Sequence, residues 1–310
     1  MSGKNEYHSV YYHKINTEQS HDILIYRNYN EPLRTYSAFT DKEQQYLFLS
    51  EKKSTSNNAL YFQSISLEES QFTAITDENF LFDYGFVTII DGKFLIKTNE
   101  NAPKYKLMLV DPSNAQKSNW QEFIPEQNYV IEQITTTKDY IVISALENAY
   151  SKILVFNFKG EQTQEIELPG IGSVSGISGN ENSNQIYYSY MSYTYPSSIF
   201  SYDIDTRKRE VFFKPEIDFD FDQYETQQVL YTSTDGTKIP MFITLKKGTI
   251  LNGNNPVLLY GYGGFNVSMT PRFSIGILPF IENGGIYAVA NIRGGGEFGK
   301  EWHLAGTKFQ

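Results

Sequence analysis

The chain has 310 residues, 40% hydrophobic and 20% charged, which is the balance of a globular protein with a sizeable core. Its net charge of −10 argues against nucleic acid and anionic membranes as partners. The absence of cysteine excludes disulfides and thiolate chemistry.

The chain contains four histidines, His8, His13, His21 and His303, which leave little for a metal site. His8 and His13 lack the surrounding acidic helical frame that would complete a zinc site. No window approaches 18 consecutive apolar residues, and the opening residues lack the apolar region of a signal peptide. We therefore expect no metal, no cofactor and no membrane partner.

Strand-like runs in the first two thirds of the chain repeat about every 45 residues. Aromatic and β-branched residues dominate these runs, which favours strands. One strand type begins at four regularly spaced positions: Tyr46, Lys93, Tyr140 and Gln185. A second type follows each of them about 13 residues later, at Ala59, Lys106, Ile153 and Ser198.

A weaker run opens each repeat and a further run closes it, which gives four strands per unit. This pattern is typical of β-propeller blades, which stack because one sheet cannot bury both of its faces alone. A β-sandwich and a parallel solenoid are less consistent, since sandwich strands do not repeat in fours and solenoid periods are shorter. The segment 9–26 matches the last two strands of a unit. We therefore predict a mainly β fold with a partial propeller of about four and a half blades over residues 1–215.

A serine nucleophile of the hydrolase type would require the pattern G-x-S-x-G. The glycine-rich stretch 172–180 contains Ser173, Ser175 and Ser178, and each of them lacks at least one of the two glycines in this pattern. We interpret this stretch as a turn-rich part of the last blade.

The repeat stops after residue 215, and the strand pattern changes. A turn at Asp235 and Gly236 predicts a hairpin. The run Pro256 to Tyr260 predicts a short strand buried on both faces, the segment 272–284 a helix, and the run 285–292 a second buried strand. A strand, a helix and a strand, each strand followed by glycines, predict the start of an α/β domain over residues 216–310.

Ligand sites in such sheets lie beyond the carboxyl ends of the strands, where the glycine-rich loops "YGYGGF" and "RGGGEFG" fall. The first loop lacks the third glycine of a dinucleotide fingerprint, and no G-K-[ST] phosphate loop is present. A glycine-rich loop after a buried strand is typical of α/β-hydrolases, in which such a loop forms half of the oxyanion hole. A fixed tyrosine hydroxyl can donate to that oxyanion, although aromatic residues after a strand, here Tyr260, Tyr262 and Phe265, more often belong to the core.

The stretches "YGYGGFNVSMTPRFS", "AVANIRGGGEFGKEWHLAG" and "STDGTKIPMFI" resemble the prolyl oligopeptidase family of serine peptidases, and the likeness covers essentially the whole chain. The resemblance implies an α/β-hydrolase domain capped by a seven-bladed propeller, which cleaves short peptides after proline. By motif position, Tyr262 corresponds to the oxyanion-hole donor and Phe265 to a wall of the proline pocket. Arg293, Trp302 and His303 are interpreted as structural.

The family's serine nucleophile lies in a G-G-S-N-G-G segment that these 310 residues do not contain, and its acid and base lie further along. We therefore expect an internal fragment that is inactive and poorly soluble alone. The full-length enzyme is expected to be a monomer that binds short proline-containing peptides. Its compartment is left open between cytoplasm and periplasm.

Two alternatives remain open at this stage. The first is a propeller that serves as an interaction module without catalysis. Such a module would not require the α/β segment and the glycine-rich loops of the stretch 257–306. The second is a sibling peptidase with another specificity, in which the pairing of Tyr262 with Phe265 should be absent.

Overall fold

The structure, a computed structural model, describes residues 5–66 and 71–307. The chain forms two compact units, Met1–Pro125 and Glu126–Gln310. None of the helices in the described ranges is long and apolar enough to cross a membrane.

The first unit begins with a two-stranded antiparallel sheet, the half-blade, made of β1 (Ser9–Tyr12) and β2 (Ile23–Arg27). Two antiparallel four-stranded sheets follow in simple meander order. Blade 1 contains β3 (Thr35–Thr40), β4 (Tyr46–Lys52), β5 (Ala59–Ser64) and β6 (Thr73–Ala74). Blade 2 contains β7 (Tyr84–Ile90), β8 (Lys93–Thr98), β9 (Lys106–Val110) and β10 (Gln121–Ile124). The predicted half unit and the four predicted strand starts in this region are confirmed.

Aromatic side chains fill the core between neighbouring sheets of the first unit. The Phe48 ring of blade 1 lies 5.1 Å from the Phe94 ring of blade 2, edge to face. The Tyr26 ring of the half-blade lies 5.1 Å from Tyr36 of blade 1 in a similar arrangement. Each sheet thus covers a face of its neighbour, as expected for propeller blades.

The second unit contributes two more meanders of four antiparallel strands. Blade 3 contains β11 (Val130–Thr136), β12 (Tyr140–Glu147), β13 (Tyr150–Asn157) and β14 (Gln162–Ile166). Blade 4 contains β15 (Ser173–Asn180), β16 (Ser183–Ser192), β17 (Tyr195–Asp203) and β18 (Lys208–Phe213). The strands β13, β16 and β17 begin two or three residues before their predicted starts, which were Ile153, Gln185 and Ser198. They are longer because polar residues beside the tight turns still pair across the hairpins. Blades 3 and 4 share one hydrophobic cluster around Val142, Ile153, Tyr188 and Phe200.

The last sheet is mixed and has the strand order β19-β20-β22-β21. Its members are β19 (Tyr224–Thr232), β20 (Lys238–Lys246), β21 (Val257–Gly261) and β22 (Ile286–Ala290). The strands β19 and β20 form the predicted hairpin, and Gly236 occupies a left-handed position in its turn. The strands β21 and β22 are parallel.

The segment between β21 and β22 contains the predicted helix in a short form. A 3₁₀ turn, Ile275–Ile277, leads into α1 (Leu278–Glu282), and a second short helix, α2 (Lys300–Leu304), follows β22. Leu278 and Ile281 bury the inner face of α1. The helix is short because Pro279 suits its first turn and Gly284, at positive φ, follows its end.

The two apolar strands of the last sheet differ in burial. β22 is mostly buried, as predicted, because it pairs on both sides with β20 and β21. The prediction that the run 256–260 is buried on both faces is wrong, since every residue of β21 is exposed. Among the described residues, β21 is an edge strand that pairs only with β22. The mainly β fold with a partial propeller is confirmed, while the boundary at residue 215 and the α/β-hydrolase assignment stay predictions.

Candidate active site

Two glycine-rich loops leave the last sheet at the same edge. Because β21 and β22 are parallel, with Gly261 opposite Ala290, the residues that follow both strands emerge side by side. We call residues 262–269 the aromatic loop and residues 291–299 the glycine loop. The amide of Asn266 in the aromatic loop donates to the Gly294 carbonyl of the glycine loop at 3.1 Å.

Glycine is required where the backbones of the two loops meet. Gly294 has φ +101°, and a Cβ there would overlap the carbonyl oxygen of Gly263. At Gly296, a Cβ would lie 2.8 Å from the carbonyl oxygen of Asn266. The glycines thus permit a backbone approach that any side chain would prevent.

The aromatic loop presents Tyr262 and Phe265 to solvent. The Tyr262 side chain is 37% exposed and Phe265 is 84% exposed. Phe265 and Asn266 have φ values of 54° and 60°, an uncommon conformation for a bulky aromatic residue. Gly264 leaves room for the tyrosine ring, because a Cβ there would lie 3.1 Å from the Tyr262 hydroxyl. Because Tyr262 is partly exposed, a ligand can reach its hydroxyl.

A buried acid, Glu297, lies behind the aromatic loop. Its side chain is 1% exposed, and its Oε1 accepts the Met269 amide at 2.8 Å. The Asn291 side chain donates to the Met269 carbonyl at 2.6 Å and, more weakly, to Glu297 Oε1 at 3.4 Å. Burial raises the pKa of Glu297, while the hydrogen bonds from Met269 and Asn291 oppose that shift. Sequence reasoning assigned no role to Glu297, although a single acid among glycines after an apolar strand is a recognisable signal.

The three residues interpreted as structural brace the glycine loop. Arg293 forms an ion pair with Asp235 in the β19–β20 turn. The Trp302 carbonyl accepts the Gly294 amide at 3.0 Å. His303 Nδ1 lies 2.7 Å from the Gly294 carbonyl and, because a carbonyl can only accept, carries the proton. The Arg293 and His303 side chains and the Trp302 backbone thus hold the glycine loop, which supports a structural role for these three residues.

Blade 4 contacts the segment that follows the aromatic loop. Ser173 Oγ donates to the Pro271 carbonyl at 2.5 Å. Tyr193, beyond β16, packs against Phe242 of β20, in a cluster that also includes Met269. Ser173, Ser175 and Ser178 all lie in the strand β15, which has an irregularity between Ser175 and Ser178 but pairs with β16 on both sides of it, in agreement with the absence of a nucleophile turn there.

The comparisons with known proteins match the fold and the motifs. The family model of the prolyl oligopeptidase N-terminal β-propeller domain matches residues 1–215. The prolyl endopeptidase of Elizabethkingia miricola is 39% identical over 310 residues, which are 100% of this chain and 44% of that protein. The prolyl endopeptidase of Dictyostelium discoideum is 34% identical and aligns with 96% of this chain and 42% of its own length.

Solved structures agree with these relatives. A structure from a study of two prolyl endopeptidases and their inter-domain dynamics superposes with a TM-score of 0.89 at 34% identity, over 96% of this chain and 44% of that one. Prolyl oligopeptidase B from Galerina marginata, bound to a 35mer hydrolysis and macrocyclization substrate, superposes with a TM-score of 0.90 at 32% identity, over 97% of this chain and 43% of its own.

The propeller meanders, the loop motifs and these matches define a β-propeller member of a serine peptidase family. The chain belongs to the prolyl oligopeptidase family. It spans less than half the length of the curated relatives that it matches.

Proposed function

We propose that these residues belong to a serine-type oligopeptidase that hydrolyses short peptides on the carboxyl side of proline. In this proposal Tyr262 donates a hydrogen bond to the oxyanion, and Phe265 forms one wall of the pocket for the proline ring. No cofactor takes part. The serine, acid and base would be supplied by parts of the complete protein outside these 310 residues.

The observation that carries the proposal is the aromatic loop itself. Its two aromatic side chains stand exposed at the carboxyl edge of a parallel strand pair, on a backbone fixed by the glycine loop. Exposed aromatics at such an edge suit a ligand site, whereas core residues would be covered. Tyr260 in β21 is exposed as well, so the functional interpretation of Tyr262 and Phe265 is based on their position in the loop beyond the strand rather than on exposure alone.

The chemistry assigns different tasks to the two rings. In acyl transfer the carbonyl oxygen becomes negative, and a donor about 2.7–3.1 Å from that oxygen stabilises the transition state more than the substrate. A tyrosine hydroxyl on a braced loop meets this requirement with little reorganisation. A phenyl face is apolar and flat, and it contacts a pyrrolidine ring well without requiring a hydrogen bond.

The relatives support the substrate class. Galerina marginata prolyl oligopeptidase B is described in complex with a 35mer hydrolysis and macrocyclization substrate and with a 25mer macrocyclization substrate. We propose peptides that contain proline as substrates of the complete protein to which these residues belong, in line with relatives named prolyl endopeptidase. The division into a propeller over residues 1–215 and a catalytic region from 216 is part of this proposal.

The test uses the complete protein, expressed from the reading frame that contains these residues, and a chromogenic Gly-Pro substrate. We expect Tyr262→Phe to lower kcat by about 10²–10³-fold with a much smaller change in KM, because the donor acts mainly on the transition state. Tyr260→Phe, two residues earlier in β21, is the matched control and should leave kcat nearly unchanged. Equal rates for wild type and Tyr262→Phe would contradict the role of Tyr262, and an absence of Gly-Pro cleavage by the wild type would contradict the proposed function.

A further inference from the structure

We propose that Glu297 is a positioning residue for the proline pocket: its carboxyl group fixes the end of the aromatic loop, residues 266–269, and thereby keeps the Phe265 ring in place. The part of this inference that concerns proline rests on the proposed function. The part that concerns the loop rests on contacts within the last sheet alone.

Three hydrogen bonds attach the end of the aromatic loop to the glycine loop. The Asn266 amide donates to the Gly294 carbonyl, and the Asn291 side chain donates to the Met269 carbonyl. The third bond runs from the Met269 amide to Glu297 Oε1. Since Phe265 directly precedes the first of these attachments, the conformation of the loop at Phe265 depends on them.

Glu297 occupies a space that its neighbours leave for a carboxyl group. A Cβ on Gly295 would collide with Glu297 Oε2 and would lie 2.9 Å from the Val267 carbonyl. The side chain is buried and forms no ion pair within the described parts of the chain. A buried acid without a cationic partner is costly to retain, so its presence requires a local function.

The function inferred for Glu297 is hydrogen-bond acceptance rather than charge. Burial raises the pKa of this carboxyl, so the surroundings do not favour the ionised form. Oε1 accepts from the Met269 amide, which a neutral amide oxygen of similar reach can also do. A glutamine at position 297 should therefore preserve the hydrogen bond from the Met269 amide. A methionine, of similar length but without a strong acceptor, should lose it.

The first test measures amide hydrogen exchange at Met269 in the complete protein, a readout that does not depend on its activity. Glu297→Met should accelerate this exchange by about tenfold or more, because the amide loses its acceptor. Glu297→Gln should stay within about threefold of the wild type. Glu301→Met is the matched control, since Glu301 is an exposed acid of the following helix, and it should also leave the rate unchanged. Equal exchange in Glu297→Met and wild type would overturn the inference, and circular dichroism shows that the variants compared are folded.

The second test measures kcat/KM of the complete protein for Gly-Pro and Gly-Ala substrates. Glu297→Met should lower the preference for proline about tenfold, and Glu297→Gln should restore it. In a Phe265→Ala background, Glu297→Met should change the preference no further, because both substitutions act through one pocket wall. An unchanged preference in Glu297→Met would overturn the pocket role. A wild type without any preference for proline would contradict the proposed function and the pocket role together, while the exchange rates still decide whether Glu297 holds the loop.

Discussion

Blade 3 and the last sheet contain similar apolar strands with opposite burial. In β13 the residues 153–156, "ILVF", are all buried, whereas in β21 the residues 257–260, "VLLY", are all exposed. β13 pairs with a strand on both sides and its faces are covered, in part by blade 4. β21 has β22 as its single partner within the described residues. An apolar run therefore shows that a strand needs cover, and only the tertiary structure shows whether the cover is present.

The largest expected effect compares one leucine from each strand. Leu154 in β13 is 2% exposed and Leu259 in β21 is 64% exposed. Leu154→Ala should lower the free energy of unfolding by about 2–5 kcal/mol through lost burial and a cavity. Leu259→Ala should change it by less than about 0.5 kcal/mol.

Urea unfolding of the 310-residue chain, followed by circular dichroism, measures both variants. Comparable losses would show that β21 is covered in solution and would contradict the contrast between the two strands.

The second prediction concerns the contact between the aromatic loop and the glycine loop. Gly294→Ala should cost about 2–3 kcal/mol, because alanine is strained at positive φ and its Cβ would also strike the backbone of Gly263. Gly248→Ala is the control, since Gly248 also has positive φ but faces open space, and it should cost about 1 kcal/mol. If the two substitutions cost the same in thermal unfolding, the loops are not in close backbone contact.

The smallest expected effect concerns the hairpin turn of the last sheet. The pKa of Asp235 is lowered, first by the Thr237 amide and next by Arg293. A lowered pKa means that the ionised carboxylate stabilises the folded state above the unfolded pKa of about 3.9 and that this contribution is lost as the pH falls through the folded pKa. Asp235→Asn should therefore slightly lower Tm at pH 7, and the difference should shrink with acidification. Asp218→Asn, at an exposed site, should show neither effect in scanning calorimetry.

The repeating part of the fold could be predicted well from the sequence. Each blade is a local meander, so a strand period and short turns determine its topology without distant information. Tyr46, Ala59, Lys93 and Lys106 begin strands as predicted. The exposed state of β21 could not be predicted in this way, because it depends on which elements lie beside the strand.

The candidate site was predictable in part. The motif "YGYGGF" identified Tyr262 and Phe265, whose roles stay a proposal. Glu297 was missed because its significance comes from a partner 28 positions earlier in the chain, Met269, and hydrogen bonds of that kind leave no periodic pattern. Residues that position a loop through backbone contacts are visible only once the two loops are seen together.

The most direct test of the account is a structure of the complete protein with a peptide aldehyde that ends in proline. Such an aldehyde forms a tetrahedral adduct with a serine nucleophile and so reproduces the oxyanion. We predict that the Tyr262 hydroxyl lies about 2.7–3.1 Å from the adduct oxygen and that the Phe265 ring contacts the pyrrolidine. An adduct oxygen held by other groups, with Tyr262 turned away and Phe265 still in solvent, would contradict the assignment of this loop to the peptidase site.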